Sequence, residues 1–281
     1  MSNPEQINNL KFSRVEIVKV GDASIACHRH GTGKKVLCLH ATGHSSRDFV
    51  ELAHSLGDRL EFIAVDWPGQ GDSTLGNSCA DAEHYASILG GVLDALELED
   101  CVILGNSIGG AAAIIHSSRR PAGVSGLVLC NPGGLQAVNL IARLYCRFIA
   151  RKFAKGEAEH PKFEHWFRRY YEKTVLPEQP ATWRRNEIIA TGYQVAPILR
   201  SAWEGFAQPV ADLRPLVKNL SMPVLYAWAR ADQAVAWSRS KKAALQAPIN
   251  EVKMFQAGHC AFLECPDEFR REFCRFLDGL N

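Results

Sequence analysis

Five short runs of almost uninterrupted apolar residues constrain this 281-residue chain more than any other feature. They are Lys35–His40 (KVLCLH), Leu60–Val65 (LEFIAV), Cys101–Leu104 (CVIL), Leu127–Cys130 (LVLC) and Pro223–Trp228 (PVLYAW). A strand with one wet face alternates apolar and polar side chains. A continuous apolar strand must be covered on both faces, which is the habit of parallel sheets packed between helices. Helix-length segments separate the runs. Residues 47–58 read as a helix, and residues 80–98 place Ala82, Tyr85, Ala86, Leu89, Val92, Leu93 and Leu96 at helical spacing. Ahead of this series, residues 14–20 and 23–29 alternate around Gly21-Asp22 and read as a hairpin. After it come a helix at 237–247, a strand at Val252–Phe255 and a closing helix at 266–280. The pattern predicts an α/β fold with a doubly wound, mostly parallel sheet of eight strands.

The alternation lapses between 133 and 210. That stretch has no buried strand run, and it holds Trp166, Trp183 and Trp203 among many Arg, Phe and Tyr residues. It reads as a helical insertion, 133–210, placed over a core made of 1–132 and 211–281. Its first part sets Leu140, Ile141, Leu144, Tyr145, Phe148 and Ile149 beside Arg143, Arg147 and Arg151, an amphipathic helix. The expectation is a cap whose apolar face covers a site while its arginines are solvated. The competing reading is a membrane-surface or partner-binding helix. Trp166, Trp183, Tyr193, Trp203 and Phe206 suggest a hydrophobic pocket beneath it.

Composition excludes several classes. Apolar residues make up 47% and charged residues 22%, as in ordinary globular proteins and unlike disordered chains. The 32 basic residues nearly balance the 30 acidic ones, so nucleic acid is not expected as a partner. The chain has no 18-residue apolar run and begins with a polar segment, so neither a membrane span nor a secretory signal is expected. Nine scattered cysteines with no CxxC pair, several of them inside apolar runs, point to a reduced compartment and hence the cytoplasm. They offer no zinc-ligand spacing, and no cofactor is expected.

Gly105-Asn106-Ser107-Ile108-Gly109 is a G-x-S-x-G motif. About 0.1 chance matches are expected in a chain of this composition, so the setting carries the weight. The motif follows a buried strand and precedes a helix, as a nucleophile elbow requires. The turn lifts the serine oxygen above the sheet edge, and the helix N-terminus brings free N–H groups beside it. A serine alcohol needs a base, and the base needs an orienting acid. His259, in Ala257-Gly258-His259, follows the last strand. Asp232, in Ala229-Arg230-Ala231-Asp232, follows the PVLYAW strand. Both fall at strand carboxyl ends, where sites of open α/β sheets collect. The alternative position for the acid, after the preceding strand, holds Asn131, an amide. The loop His40-Ala41-Thr42-Gly43-His44 can offer the Thr42 N–H beside that of Ile108 as an oxyanion hole. Asp66, in DWPGQGDS, reads as a turn organiser. The remaining histidines read as surface or satisfied side chains.

Five elements in this order, HATG, DWPGQGDS, GNSIGG, ARAD and AGH, resemble the α/β-hydrolase superfamily with a helical cap. The resemblance covers nearly the whole chain outside the insertion. It implies Ser107 as nucleophile, His259 as base, Asp232 as acid, and Thr42 and Ile108 as oxyanion donors. Ala41 departs from the glycine most relatives carry there. Ser107 disfavours the haloalkane dehalogenases and epoxide hydrolases of this fold, which use aspartate. The elbow is similar to that of C–C bond hydrolases of meta-cleavage products. Those carry Gly-Pro-Gly after the first HG and Trp after the catalytic His, where this chain has Gly43-His44-Ser45 and Cys260. Cofactor-free haloperoxidases and acyltransferases share the triad. The expectation is therefore a serine hydrolase that cleaves a carboxylic ester of a small, largely apolar substrate through an acyl-enzyme. C–C hydrolysis stands second, and the oligomeric state is left open.

Overall fold

The computed structural model describes residues 7, 9–76 and 79–280. Eight strands form one sheet: β1 Arg14–Val20, β2 Ala23–Gly31, β3 Lys34–Leu39, β4 Leu60–Val65, β5 Cys101–Asn106, β6 Val124–Cys130, β7 Val224–Ala229 and β8 Asn250–Phe255. Their spatial order is β1-β2-β4-β3-β5-β6-β7-β8. β2 pairs antiparallel with β1 and β4, and every other pairing is parallel.

The uninterrupted apolar runs are explained by two cores, one on each face. Successive residues of a strand point to opposite sides. Val36, Val102, Val128 and Leu225 face a core with Phe49, Phe269 and Phe273. Their neighbours Leu37, Ile103, Leu127 and Tyr226 face the other core with Leu89, Val92 and Ile115. The covering helices are α1 Val50–Leu56 and, later in the chain, α2 Ala82–Ala95 and α3 Ile108–Arg119. Asp81 starts α2 by accepting a hydrogen bond from the His84 N–H at 2.8 Å. The hairpin strand β1 has water on one side, and its Val15 and Ile17 are half exposed.

Chain order and spatial order part company at β3. The chain steps from β3 to β4 on one side, then returns past β3 to β5 on the other. The carboxyl ends of β3 and β5 therefore flank a topological switch point, where open α/β sheets form their ligand crevice. Thr42 follows β3 and Ser107 follows β5.

Between β6 and β7 the described residues form helices and no strand. The helices are α4 Leu140–Glu157, α5 Lys162–Tyr170, α6 Thr182–Ala190 and α7 Gly192–Phe206. α5 runs on into a single π-helical turn, Tyr171–Val175. Beyond β7 lie α8 Trp237–Ala244 and α9 Pro266–Asp278, with the single helical turn Ala261–Glu264 between β8 and α9.

α4 corrects one expectation. The apolar face read from the sequence turns inward only in part: Ile149 is buried and Ile141 and Tyr145 line the cavity described below, whereas Leu140 is 69% exposed, Leu144 55% and Phe148 52%. The buried stripe is Cys146, Ile149, Ala150, Phe153 and Gly156. α4 has two apolar arcs, and close approach chose between them. A Cβ at Gly156 would come within 2.7 Å of Ala196 in α7, so the small residues let the helices meet there. Phe153 fills the space behind them, edge-on to Phe163, Trp166, Phe167 and Tyr170.

Candidate active site

Ser107 sits at φ 54° and ψ −114°, outside the ordinary regions for a residue with a side chain. Such strain persists only where the surroundings hold it. Here the Ser107 N–H donates to the Cys130 carbonyl at 3.0 Å, and the Ser107 carbonyl accepts from Gly133 and Ala111 at 3.0 Å each. The flanking glycines serve close approach. A Cβ at Gly105 would lie 2.8 Å from the Gly109 backbone, and one at Gly109 would lie 2.4 Å from the Leu39 carbonyl oxygen.

His259 Nδ1 and Asp232 Oδ2 lie 2.6 Å apart. A carboxylate there accepts the Nδ1 proton and leaves Nε2 as the basic nitrogen. Asp232 Oδ1 accepts from the Ala234 and Val235 N–H groups at 2.8 Å each. Asn131 Nδ2 donates to Asp232 Oδ2 at 2.6 Å, while Asn131 Oδ1 accepts from the Ala229 N–H at 2.8 Å. The amide at the alternative acid position is therefore a clamp on Asp232. In the sequence Asn131 stands out only as an amide unfit to be the acid; its clamp role depends on the fold. Burial by itself depresses the His259 imidazole, but the charge and hydrogen bond of Asp232, helped by the charge of Glu264, outweigh it. His259 thus titrates above its ordinary value of 6.5.

Glu264 lies five residues beyond His259 and carries no motif that marks it as a support. Its buried carboxylate accepts from the N–H groups of Gly258, His259 and Cys260 at 2.9–3.0 Å. Burial raises its pKa against those bonds. Asn106, next to the serine, is spent on the backbone carbonyls of Cys130 and His259, at 2.9 and 3.2 Å. The Cys260 thiol points at Asn106 Oδ1, 3.0 Å away.

The loop after β3 is fastened from several sides. His40 Nε2 accepts from the Trp67 N–H at 3.1 Å, so Nδ1 donates to the Ala41 carbonyl at 2.7 Å. Burial pushes His40 down to about 4, and it stays neutral at pH 7. The Gly43 N–H donates to Gln70 Oε1 at 2.6 Å, and Gln70 in turn donates to the Tyr85 hydroxyl at 2.9 Å. Thr42 and Ile108 are left with backbone N–H groups that find no protein acceptor among the described residues. Asp66 is the turn organiser expected. It accepts from Ser46 N–H at 2.6 Å, Asp72 N–H at 2.9 Å and His28 Nε2 at 2.9 Å. His28, Asp66 and Asp72 bring ligand-type atoms within 4.8 Å of one another, a cluster that sequence spacing hides, but Asp66 is already occupied by these donors.

A buried ion network joins this loop to α6. His44 Nδ1 is 2.7 Å from Asp48 Oδ2, and Arg184 Nε donates to Asp48 Oδ1 at 2.6 Å. Burial opposes ionisation of Asp48, yet His44 and Arg184 together hold its pKa well below the carboxylate range. Arg184→Ala would strand that buried carboxylate. We expect a loss of about 3–5 kcal/mol in unfolding free energy. Denaturant melts of the two proteins check this, and a loss below about 1 kcal/mol would show the network to be dispensable.

These elements enclose a cavity of about 570 Å³. Ser107, His259, Asp232 and Thr42 all reach its wall, and so does His44. Of the five aromatics that suggest a pocket in the sequence, Trp203 and Phe206 line it; Trp166, Trp183 and Tyr193 do not. Trp183 lies under the Arg47 guanidinium, 5.2 Å from its ring centre, and Trp166 stacks on Tyr170. Tyr145, Tyr170 and Tyr171 take their places at the wall. Helical periodicity could not say which aromatic faced inward.

Residues 36–272 match the model of the Alpha/beta hydrolase family. The chain belongs to that family. It is 28% identical over 291 residues to a 2-hydroxy-6-oxononadienedioate/2-hydroxy-6-oxononatrienedioate hydrolase of Cupriavidus pinatubonensis, covering 98% of this chain and 99% of the relative. A 2-hydroxy-6-oxo-6-phenylhexa-2,4-dienoate hydrolase of Comamonas testosteroni is 24% identical, with 96% of each chain covered. In three dimensions the hydrolase resembles a thermophilic esterase from Thermogutta terrifontis, with a TM-score of 0.78 and 21% identity. That match covers 95% of this chain and 99% of the esterase, and at this identity it supports the shared fold. Among the described residues no helix is long and apolar enough to cross a membrane, and none of the nine cysteines is in a disulfide.

Proposed function

We propose that this hydrolase cleaves carboxylic esters of small, largely apolar substrates through an acyl-enzyme on Ser107. The observation that carries the reading is the strained elbow serine opening into the same cavity as the His259–Asp232 pair. His259 Nε2 takes the Ser107 proton as the oxygen attacks the acyl carbon. The Thr42 and Ile108 N–H groups hold the oxyanion, and each such donor is typically worth about 3 kcal/mol. His259 then activates the water that releases the acid. In this reading, residues 133–210 are the cap and 1–132 with 211–281 the hydrolase core.

C–C bond hydrolysis is the second reading, favoured by the full-length likeness to the dienoate hydrolases. It asks for polar groups that hold a dienol and protonate carbon. The cavity wall does carry His44, Gln136, Asn139, Arg214 and Arg239. But His44 faces Asp48, Arg214 pairs with Asp212, Gln136 and Arg239 donate to the carbonyls of Ala234 and Gln233, and Asn139 caps α4. Cys260 is spent on Asn106 and does not line the cavity. An ester needs only the triad and two backbone donors. We expect p-nitrophenyl esters of short to medium chain to be turned over and 2-hydroxy-6-oxo-dienoates to be poor substrates. A kcat/KM for the dienoate a hundredfold above the best ester, about 2.7 kcal/mol in transition-state binding, would reverse the ranking.

The base role sets a pH dependence. Only neutral His259 can accept the serine proton, so activity rises with pH through the His259 pKa. Because Asp232 raises that pKa despite burial, the acid limb of the kcat/KM profile is expected above 6.5. A limb below 6.5 would mean that the pair does not couple as described.

A further inference from the structure

We propose that the outward face of α4 docks on an anionic lipid surface, and that substrate enters the cavity from that surface. The second clause rests on the ester-hydrolase reading; the first does not.

Leu140, Ile141, Leu144 and Phe148 recur at helical spacing on the side of α4 opposite its buried stripe and are more than half exposed. A contiguous exposed apolar ridge marks an interaction site. The same helix carries Arg143, Arg147, Arg151, Lys152 and Lys155 against one acid, Glu157. Glu157 is taken by Arg200 of α7 at 2.6 Å. Of the five other arginines in the insertion, three find acids: Arg168 pairs with Glu164 and Glu172, Arg184 with Asp48 and Glu187, and Arg200 with Glu204. None of the five α4 cations has a carboxylate within reach among the described residues, and Lys152 Nζ instead lies over the Phe148 ring at 5.0 Å. The chain as a whole is only +2, so this charge is a local feature.

An apolar ridge rimmed by unpaired cations fits an anionic bilayer surface, where apolar side chains enter the acyl boundary and the cations meet headgroups. A second copy fits worse, because a two-fold contact would set the cations of one α4 against those of the other. The face is also continuous with the site. Ile141, Ala142, Tyr145 and Cys146 of the same helix line the cavity, and Tyr145 is 42% exposed. An amphiphilic ester held in the surface would therefore meet the entrance without first crossing bulk water.

The test is co-sedimentation of the full chain with vesicles of phosphatidylcholine alone or mixed in equal parts with phosphatidylglycerol. Binding is expected to the mixed vesicles, to weaken with salt, and to be near background on phosphatidylcholine. Each cation lost near such a surface is worth about fivefold, so Arg147→Glu with Arg151→Glu should lower partitioning by at least about 25-fold. Leu144→Ser with Phe148→Ser should lower it as well, and thermal melts of all variants check that they fold. None of these four residues lines the cavity, so turnover of a soluble short-chain p-nitrophenyl ester should match wild type. Failure of wild type to bind mixed vesicles overturns the proposal, as does undiminished binding by both variants. A dimer in sedimentation velocity that the apolar variant dissolves also overturns it, by placing a second copy on this face. If vesicle binding holds while wild type turns over no ester, docking stands and the ester reading falls.

Discussion

Ser107→Ala is expected to lower turnover of the best ester by on the order of 10⁶ and to abolish labelling by a fluorophosphonate probe. The size of the effect follows from interdependence. A covalent route needs the nucleophile, and without it the base and acid have nothing to activate, so the loss approaches that of the whole triad. What remains is the oxyanion hole and binding, typically 10³–10⁴ over water. The fold should survive, because the backbone around the serine is held by main-chain bonds to Cys130, Gly133 and Ala111. Relief of the positive φ is not expected, since alanine carries the same Cβ. Equal probe labelling of wild type and variant would remove Ser107 as nucleophile.

Asp232→Asn is expected to cost on the order of 10⁴ in kcat. An amide at 232 can receive the backbone donors of Ala234 and Val235 only with its oxygen, which turns its NH₂ towards His259 Nδ1 and the Asn131 amide. Nδ1 must then accept, the proton moves to Nε2, and the base is lost. The clamp by Asn131 sharpens the effect, because its Nδ2 would face a donor where it met a carboxylate. Asp66→Asn is the control. It should lower stability through its lost contacts to Ser46, Asp72 and His28, with the active-site pair intact. Near-normal turnover in Asp232→Asn beside an inactive but folded Asp66→Asn would reassign the acid.

The sheet was legible because its signal is local and redundant. Each of the five apolar runs coincides with a strand, and the two faces seen in the cores are what an uninterrupted apolar run demands. The proposed triad positions were legible for a related reason: each follows a strand at its carboxyl end, and a mostly parallel sheet gathers those ends at one edge. Asn131 and Glu264 were not legible as supports. Both act by hydrogen bonds whose partners depend on how separate loops meet, and neither belongs to a spacing pattern.

α4 marks the limit most clearly. Its period, one apolar face and Arg143, Arg147 and Arg151 could be read from the chain. Hydrophobicity ranks Leu140, Ile141, Leu144 and Phe148 as good core residues, and taken alone the sequence favours burying them. Packing decided otherwise, because Gly156 admits close contact with Ala196 of α7 where a larger side chain would not. The same holds for the cavity wall, which takes Tyr145, Tyr170 and Tyr171 beside Trp203 and Phe206. The sequence by itself determined the strands, their two-sided burial and the order of the candidate nucleophile, acid and base, since these depend on local composition and chain order. Only the tertiary structure decided which face of α4 is wet, which aromatics meet substrate, and that Arg184 is bound to Asp48 and not free in the cavity. Those outcomes turn on contacts between segments more than a hundred residues apart or on the fit of neighbouring helices, and no local pattern encodes them.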